Sequence, residues 1–278
     1  MPDRPPLPAA TASAETLPTA TPPPPAGAPL LSVVVPVLNE QDNVAPLVAE
    51  IRAALAPVCA AHGGHGGGYE IVYVDDGSTD RTAEVLASLR ASVPELRVVR
   101  HSRRAGQSAA LRSGVRAARG RLIATLDGDR QNDPADIPKL LEVWQRADAA
   151  GRSRVMVTGH RVNRRDSPAK RRASGVANAI RRALLGDDNP DTGCSLKLYE
   201  RALYLAMPYF DHMHRYLPAL AQREGAVVEV VAVNHRPRPS GQSKYNNFGR
   251  ALVGIPDLVG VIWLIRRAPR GLDVHEVE

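Results

Sequence analysis

Aromatic side chains are scarce. Two Trp, seven Tyr and two Phe make up 4% of the 278 residues. A core must therefore be filled mainly by Val, Leu, Ile and Ala, which the 44% hydrophobic content can supply. Paired aromatics on which nucleobases could stack are missing as well, so single-stranded nucleic acid has no evident platform. Cysteine is scarcer still: Cys59 and Cys194 lie far apart, match no zinc or redox spacing, and fit a reducing compartment. A bilayer-spanning helix needs ~20 apolar residues. The C-terminal stretch "LVGIPDLVGVIWLI" (252–265) has 14 residues and is interrupted by Pro256 and Asp257. No apolar segment follows a basic N-terminal start, so no signal peptide is expected. Neither "GxxxxGK[ST]" nor "GxGxxG" after a strand occurs, which argues against a P-loop and an ordinary dinucleotide site.

What is present is positive charge and a repeated pattern. The net charge of +7 points to an anionic partner: a phosphate-bearing substrate, nucleic acid or an acidic membrane surface. Residues 1–29 hold ten of the 24 prolines and read as a disordered, partly polyproline tail. Beyond them, "LLSVVVPVL" (30–38) is a β-branched apolar run of the kind buried on both faces of a sheet. Val44, Leu47, Val48, Ile51 and Leu55 follow at helical spacing. "YEIVYVDD", "LRVVRH" and "RLIATLD" read as further strands, each followed by a helical segment. Ser78, Thr79 or Asp80 is expected to cap the second helix. Asp133 is expected to cap the fourth, with Pro134 at its first position, Asp136 completing a capping box, and Ile137, Leu140, Leu141 and Trp144 as its buried stripe. Strand and helix alternate four times, which predicts parallel strands in an α/β sandwich that binds ligands at the strands' C-terminal ends. "RVMVTGHR" (154–161), a segment after "DTGCS" (191–195) and "AVVEVVAVNHRPR" read as later strands.

The stretch "TLDGDRQNDP" (125–134) is the most telling. Asp127, Asp129, Gln131 and Asp133 alternate at the mouth of a predicted strand, and residues so spaced point to one side of an extended chain. A polar turn capping the next helix needs only Asp133. A calcium loop would want Gly and Glu where Asn132 and Pro138 stand. The remaining reading is a divalent-metal clamp, Mg2+ or Mn2+, for a diphosphate.

These motifs resemble glycosyltransferase family 2 enzymes of the GT-A fold, within it the dolichyl- or polyprenyl-phosphate mannosyltransferases and bacterial polyprenyl-phosphate glycosyltransferases. "VVVPVLNE", "IVYVDDGSTDRT", "GQSAALRSG", "LDGDRQNDP", "DTGCSLKLYER", "HRYLPAL" and "RPRPSGQSKY" carry the resemblance, in order, over roughly 31–250. It implies a single GT-A domain at 30–250, Rossmann-like, with a mostly parallel sheet flanked by helices. It implies that Pro36, Leu38, Glu40, Val74, Asp76 and Asp127 bind the nucleotide, although Leu38 stands where relatives often carry an aromatic. Asp127, Asp129 and Gln131 would hold the metal. Arg161, Arg238, Lys244 and Arg215 would bind donor or acceptor phosphates. Asp129 and Asp191 are the candidate catalytic carboxylates, Asp191 also as a group that positions the acceptor or the arginines. No "QxxRW" of processive synthases occurs, so one sugar per encounter is expected.

The expected reaction moves one hexose, mannose from GDP-mannose in the first reading, to a polyprenyl or dolichyl phosphate. Transfer from UDP-glucose or a UDP-amino-sugar to undecaprenyl phosphate or another lipid is the alternative. A non-catalytic basic protein bound to membrane or nucleic acid is the rival of a different class. The acidic edge disfavours nucleic acid as a partner. The basic stretch 161–182 reads either as an interfacial helix or as a solvated loop. Residues 251–278 read as an apolar and basic membrane-contacting tail, with Trp263 at headgroup depth. The expected location is the cytoplasmic face of the cell membrane, as a peripheral protein, with room for a small membrane partner.

Overall fold

Leu31–Val37 (β1) is buried on both sides, as its unbroken apolar run requires. It is the hinge of a seven-stranded sheet seen in a computed structural model that describes residues 27–61, 68–152, 154–162, 181, 184–187, 189–237 and 247–268. The first half alternates as expected: α1 (Gln41–Ala61), β2 (Tyr69–Asp75), α2 (Thr82–Ser92), β3 (Leu96–Arg100), α3 (Gln107–Ala117), β4 (Leu122–Thr125) and α4 (Ile137–Ala149). The second half adds β5 (Val155–Arg161), β6 (Lys197–Glu200), α5 (Arg201–Ala206), α6 (Leu217–Arg223), β7 (Val227–Val233) and α7 (Asn247–Arg267). The strand order is β3-β2-β1-β4-β6-β5-β7.

All neighbouring pairs are parallel except those of β6, which runs against both β4 and β5. The reversal has a local consequence. Thr125 at the end of β4 lies opposite Lys197 at the start of β6, and Lys197 lies opposite Thr158 in β5. One sheet edge therefore collects the ends of β1, β2, β4, β5 and β7 and the beginning of β6.

Two apolar layers flank the sheet. One joins β1 and β2 to Val44, Leu47 and Ile51 of α1, Leu86 of α2 and Leu140 and Trp144 of α4. The other joins Val34, Val72 and Val74 to α3, α5, α6 and Val261 of α7. α3 lies close to the sheet: a Cβ on Gly114 would stand 2.4 Å from Val34 Cγ1 and 3.0 Å from Val74 Cγ2. At the far sheet edge, buried Glu70 accepts from Ser32 Oγ (2.6 Å), Arg119 N–H (2.5 Å) and Arg97 (2.7 Å). Burial pushes this carboxyl up, but those donors and the Arg97 charge together hold it below its ordinary value.

Two local expectations are corrected. α2 begins at Thr82 behind Arg81, with no side-chain cap on that residue. Ser78 Oγ instead accepts from Asn39 N–H (2.9 Å) and Thr82 Oγ1 from Glu40 N–H (2.9 Å), so both hydroxyls serve the turn after β1. Asp80 remains at the helix start, accepting from Thr82 N–H at 3.0 Å. Asp133 caps a 3-10 turn, Pro134–Asp136, ahead of α4, and Asp136 turns to Asn234 N–H (2.6 Å) rather than back to the cap. The last helix runs through Pro256. Among the described residues no helix is long and apolar enough to cross a membrane. Arg238, Lys244, residues 1–26 and most of the basic stretch 161–182 lie outside the described residues.

Candidate active site

β4 ends at Thr125, and three residues on, the chain crosses the end of β1 so tightly that only glycine fits at 128. A Cβ on Gly128 would lie 2.4 Å from Val37 Cγ1 and 3.2 Å from the Pro36 carbonyl. This crossing presents Asp127 and Asp129 at the edge. Asp127 is half-buried. One of its carboxylate oxygens accepts from Gln107 Nε2 at 2.8 Å, the other from the Ser195 hydroxyl. Its backbone N–H donates to Asn132 Oδ1 at 3.3 Å. Asp129 accepts from the N–H of Gln131 at 3.1 Å, which makes a tight turn. Burial, reinforced by the Asp129 charge, pushes Asp127 above the ordinary carboxylate range, while Ser195, Lys197 and Arg161 pull it down.

The loop before β6 supplies the surroundings. Lys197 is fully buried, and its ammonium donates to the carbonyls of Thr192 (3.3 Å) and Cys194, pinning the turn Asp191–Ser195. Burial pushes this lysine down, and the charges near it include Asp191 and Asp127. Asp191 holds Arg161 at the end of β5 through a two-pronged pair, Nε to Oδ2 at 2.8 Å and Nη2 to Oδ1 at 2.7 Å. A bidentate pair fixes both partners in orientation as well as position. Both expected residues are thus at the edge, and Asp191 is joined to Arg161.

The nucleotide candidates after β1 and β2 lie beside them. Pro36 is the register partner of Val74. Val74 is fully buried, so its side chain belongs to the core and it can offer a ligand only backbone. Leu38 and Glu40 are partly exposed, with Glu40 accepting from Asn43 Nδ2 at 2.7 Å. An Asx-type turn here belongs to Asp75, which accepts from Ser78 N–H at 2.9 Å. Asp76 instead accepts from the N–H groups of Ala105 and Gly106, each at 2.8 Å, and meets His101 Nδ1 at 2.7 Å. It therefore shapes the loop that leads into α3. Gly77 lets that loop approach, since a Cβ there would stand 2.7 Å from the backbone of Arg103 and Arg104.

That loop opens on a cleft of about 300 Å³ lined by Arg104, Gln107, Asp211, His212, His214 and Arg215. Ser108 Oγ lies 2.8 Å from His214 Nδ1, and His212 Nδ1 lies 3.1 Å from Asp257 of α7. Sequence reasoning placed Arg215 here but gave no role to Gln107, Ser195, Lys197 or Arg104. The first three lie inside the quoted segments "GQSAALRSG" and "DTGCSLKLYER", the only signal that could have marked them. Gln131 sits on the same turn as Asp129, and its carbonyl accepts from Arg236 N–H at 2.9 Å.

A nearly parallel sheet therefore carries an acidic turn at its open edge, with a cleft lined by Arg104 and Arg215 alongside. Residues 32–206 match the model of glycosyl transferase family 2. The chain belongs to that family and is a glycosyltransferase. It is 38% identical over 249 residues to dodecaprenyl-phosphate galacturonate synthase of Rhizobium johnstonii, covering 86% of this chain and 68% of that one. It is 37% identical over 217 residues to undecaprenyl-phosphate 4-deoxy-4-formamido-L-arabinose transferase of Edwardsiella ictaluri, covering 77% and 62%. The chain thus spans roughly two thirds of the length of these relatives, at 68% and 62%. Glucosyl-3-phosphoglycerate synthase from Mycobacterium tuberculosis shares the fold, with a TM-score of 0.57 at 17% identity over 87% of this chain and 82% of that one. The GT-A architecture read from the sequence is the one observed.

Proposed function

We propose that the protein transfers a single sugar from a UDP-sugar to a polyprenyl phosphate at the cytoplasmic face of a membrane. The observation that carries this reading is the junction at Gln107. Its amide holds the Asp127 carboxylate, and the same residue lines the cleft that contains Arg104 and Arg215. An edge suited to a diphosphate and a recess suited to a second phosphate share one wall.

Asp127, whose proton affinity the neighbouring Asp129 charge raises, and Asp129 itself fit a divalent cation, Mg2+ or Mn2+. Among the described residues no group of three or more His, Cys, Asp or Glu could hold a metal alone. Asp127 and Asp129 are the residues that would hold it, with Gln131 by family resemblance and the donor's diphosphate completing the set. When bound, such an ion neutralises charge on the departing diphosphate. Arg161, fixed by Asp191, adds a permanent cation at the same edge. A phosphate oxygen of the acceptor forms the new bond at the anomeric carbon. The bond to the nucleoside diphosphate breaks, its electron pair leaves with the diphosphate, and the configuration inverts. A lipid phosphate is ionised at neutral pH, so no strong base is required. That agrees with an Asp191 engaged by Arg161.

The sugar is where the reading departs from the first expectation. The relatives' names specify galacturonate and 4-deoxy-4-formamido-L-arabinose on polyprenyl phosphates. The mycobacterial synthase has been crystallised with UDP and Mn2+ or Mg2+. These support a UDP-sugar over GDP-mannose. A buried, unpaired Cys194 suits a reducing compartment, and hence the cytoplasmic face.

Calorimetry of UDP and of GDP, each with and without Mn2+, tests the donor site in the wild type and in Asp129→Ala. UDP should bind with Mn2+ and lose that binding in the variant. Incorporation of label from UDP-sugars into undecaprenyl phosphate then names the sugar. Binding of neither nucleotide under any condition removes this reading.

A further inference from the structure

Helix α7 carries a single acidic residue, Asp257, in an otherwise apolar and basic sequence. Its side chain is 17% exposed and reaches inward to His212 Nδ1 at 3.1 Å. One turn earlier the Gly254 carbonyl accepts from the Tyr216 hydroxyl at 3.3 Å. Leu258, Ile262 and Ile265 pack on the core around Val261. The inner face of α7 is therefore tied to residues 212–216, which form part of the cleft.

The outer face is different. Ile255, Val259 and Trp263 recur every fourth residue and are 63%, 61% and 59% exposed. Residues so spaced form one row along a helix. Arg266 and Arg267 follow, both exposed, and the Arg267 guanidinium lies 6.0 Å from the Trp263 ring. An apolar row ending in Trp and two cations fits an anionic bilayer: the row enters the acyl boundary and the arginines meet lipid phosphates. His212 itself has φ 65°, a conformation that is uncommon outside glycine and persists only where neighbours enforce it. Its tethers are Asp211, which accepts from its N–H at 2.8 Å, and Asp257.

We infer that Asp257 is a positioning residue: α7, seated on an anionic bilayer, fixes His212 and the turn Met213–Arg215 through Asp257 and so sets the cleft for a lipid-borne phosphate. This rests on the acceptor reading above. Membrane docking and cleft geometry are then one event.

The test uses the full chain with phosphatidylcholine vesicles, with and without phosphatidylglycerol. Docking is read from Trp263 fluorescence and co-sedimentation, and cleft order from amide hydrogen exchange at 212–216. Wild type should bind vesicles containing phosphatidylglycerol, with slowed exchange at 212–216. Asp257→Leu should dock equally yet lose that slowing. Its KM for polyprenyl phosphate should rise about tenfold, with kcat and UDP affinity unchanged. Asp257→Asn, which keeps an acceptor for His212, should restore most of both. Unchanged exchange protection and KM in Asp257→Leu overturn the inference, as does a KM rise matched by an equal loss of UDP affinity. Should Asp257→Leu fail to fold, Val259→Glu with Trp263→Glu carries the test on exposed positions. It should keep UDP binding and lose both docking and protection, and docking retained in it overturns the proposal. Wild type that docks and gains protection but transfers no sugar to polyprenyl phosphate refutes the acceptor reading and leaves the coupling standing.

Discussion

At Asp127 two uncharged donors, Gln107 and Ser195, meet the two carboxylate oxygens, and the cations Lys197 and Arg161 exert their pull from further back. Such an arrangement holds the carboxylate in place without neutralising it. Ser195→Ala should weaken Mn2+-dependent UDP binding about tenfold, equivalent to ~1.4 kcal/mol, with little change in Tm. Calorimetry beside thermal melting separates the two. Glu70 is the opposite case, a carboxylate whose work is structural. Its folded-state pKa is depressed, so the stability it contributes is present above its unfolded value, about 4.3, and is lost as pH falls through the folded value. Glu70→Gln should cost ~2 kcal/mol at neutral pH and flatten the acid limb of the stability curve, as read from urea melts across pH. Asp127 and Asp129 were legible because alternating carboxylates after a strand are costly without a purpose. Gln107 and Ser195 were not, because they lie 20 and 68 residues away and only the sheet brings them together.

Among the elements, the first four strands and helices follow from apolar periodicity, and the sequence places them well. The direction of β6 does not follow. A short apolar segment reads the same either way, and nothing in the long connection before it specifies a sense. The cap of α2 was misplaced for a related reason: Ser78 and Thr79 have the right chemistry for capping, but Asn39, 39 and 40 residues distant, engages both hydroxyls. The contact of α3 with the sheet is tight enough to test. Gly114→Ala places a methyl 2.4 Å from Val34 Cγ1 and should lower stability by ~1–3 kcal/mol, measured by urea denaturation. Helix propensity alone predicts the reverse, since alanine outranks glycine.

For the molecule as a whole, a net charge of +7 and an apolar row ending in Arg266 and Arg267 give the proposed membrane docking an ionic component. Raising salt from about 0.1 to about 1 M shortens the screening length from ~10 to ~3 Å. Sedimentation with phosphatidylglycerol vesicles should fall accordingly and level off at an apolar remainder. Composition announced an anionic partner, the sequence already read 251–278 as a membrane-contacting tail, and the exposed row of α7 supports that proposal. The reversed strand has one further effect, in time rather than space. A chain emerging from the ribosome can pair β1 through β4 as soon as they are made. Its acidic edge then stands without Ser195, Lys197 and the pairing of Asp191 with Arg161, all of which are assembled by the segment that β6 anchors. A nascent chain ending before residue 197 would therefore keep only β1–β4 paired, four of the seven strands, and leave Asp127 without the β6 anchor of its Ser195 partner. The cleft residues 211–216 and α7 follow later still, so the edge is completed before the cleft in synthesis.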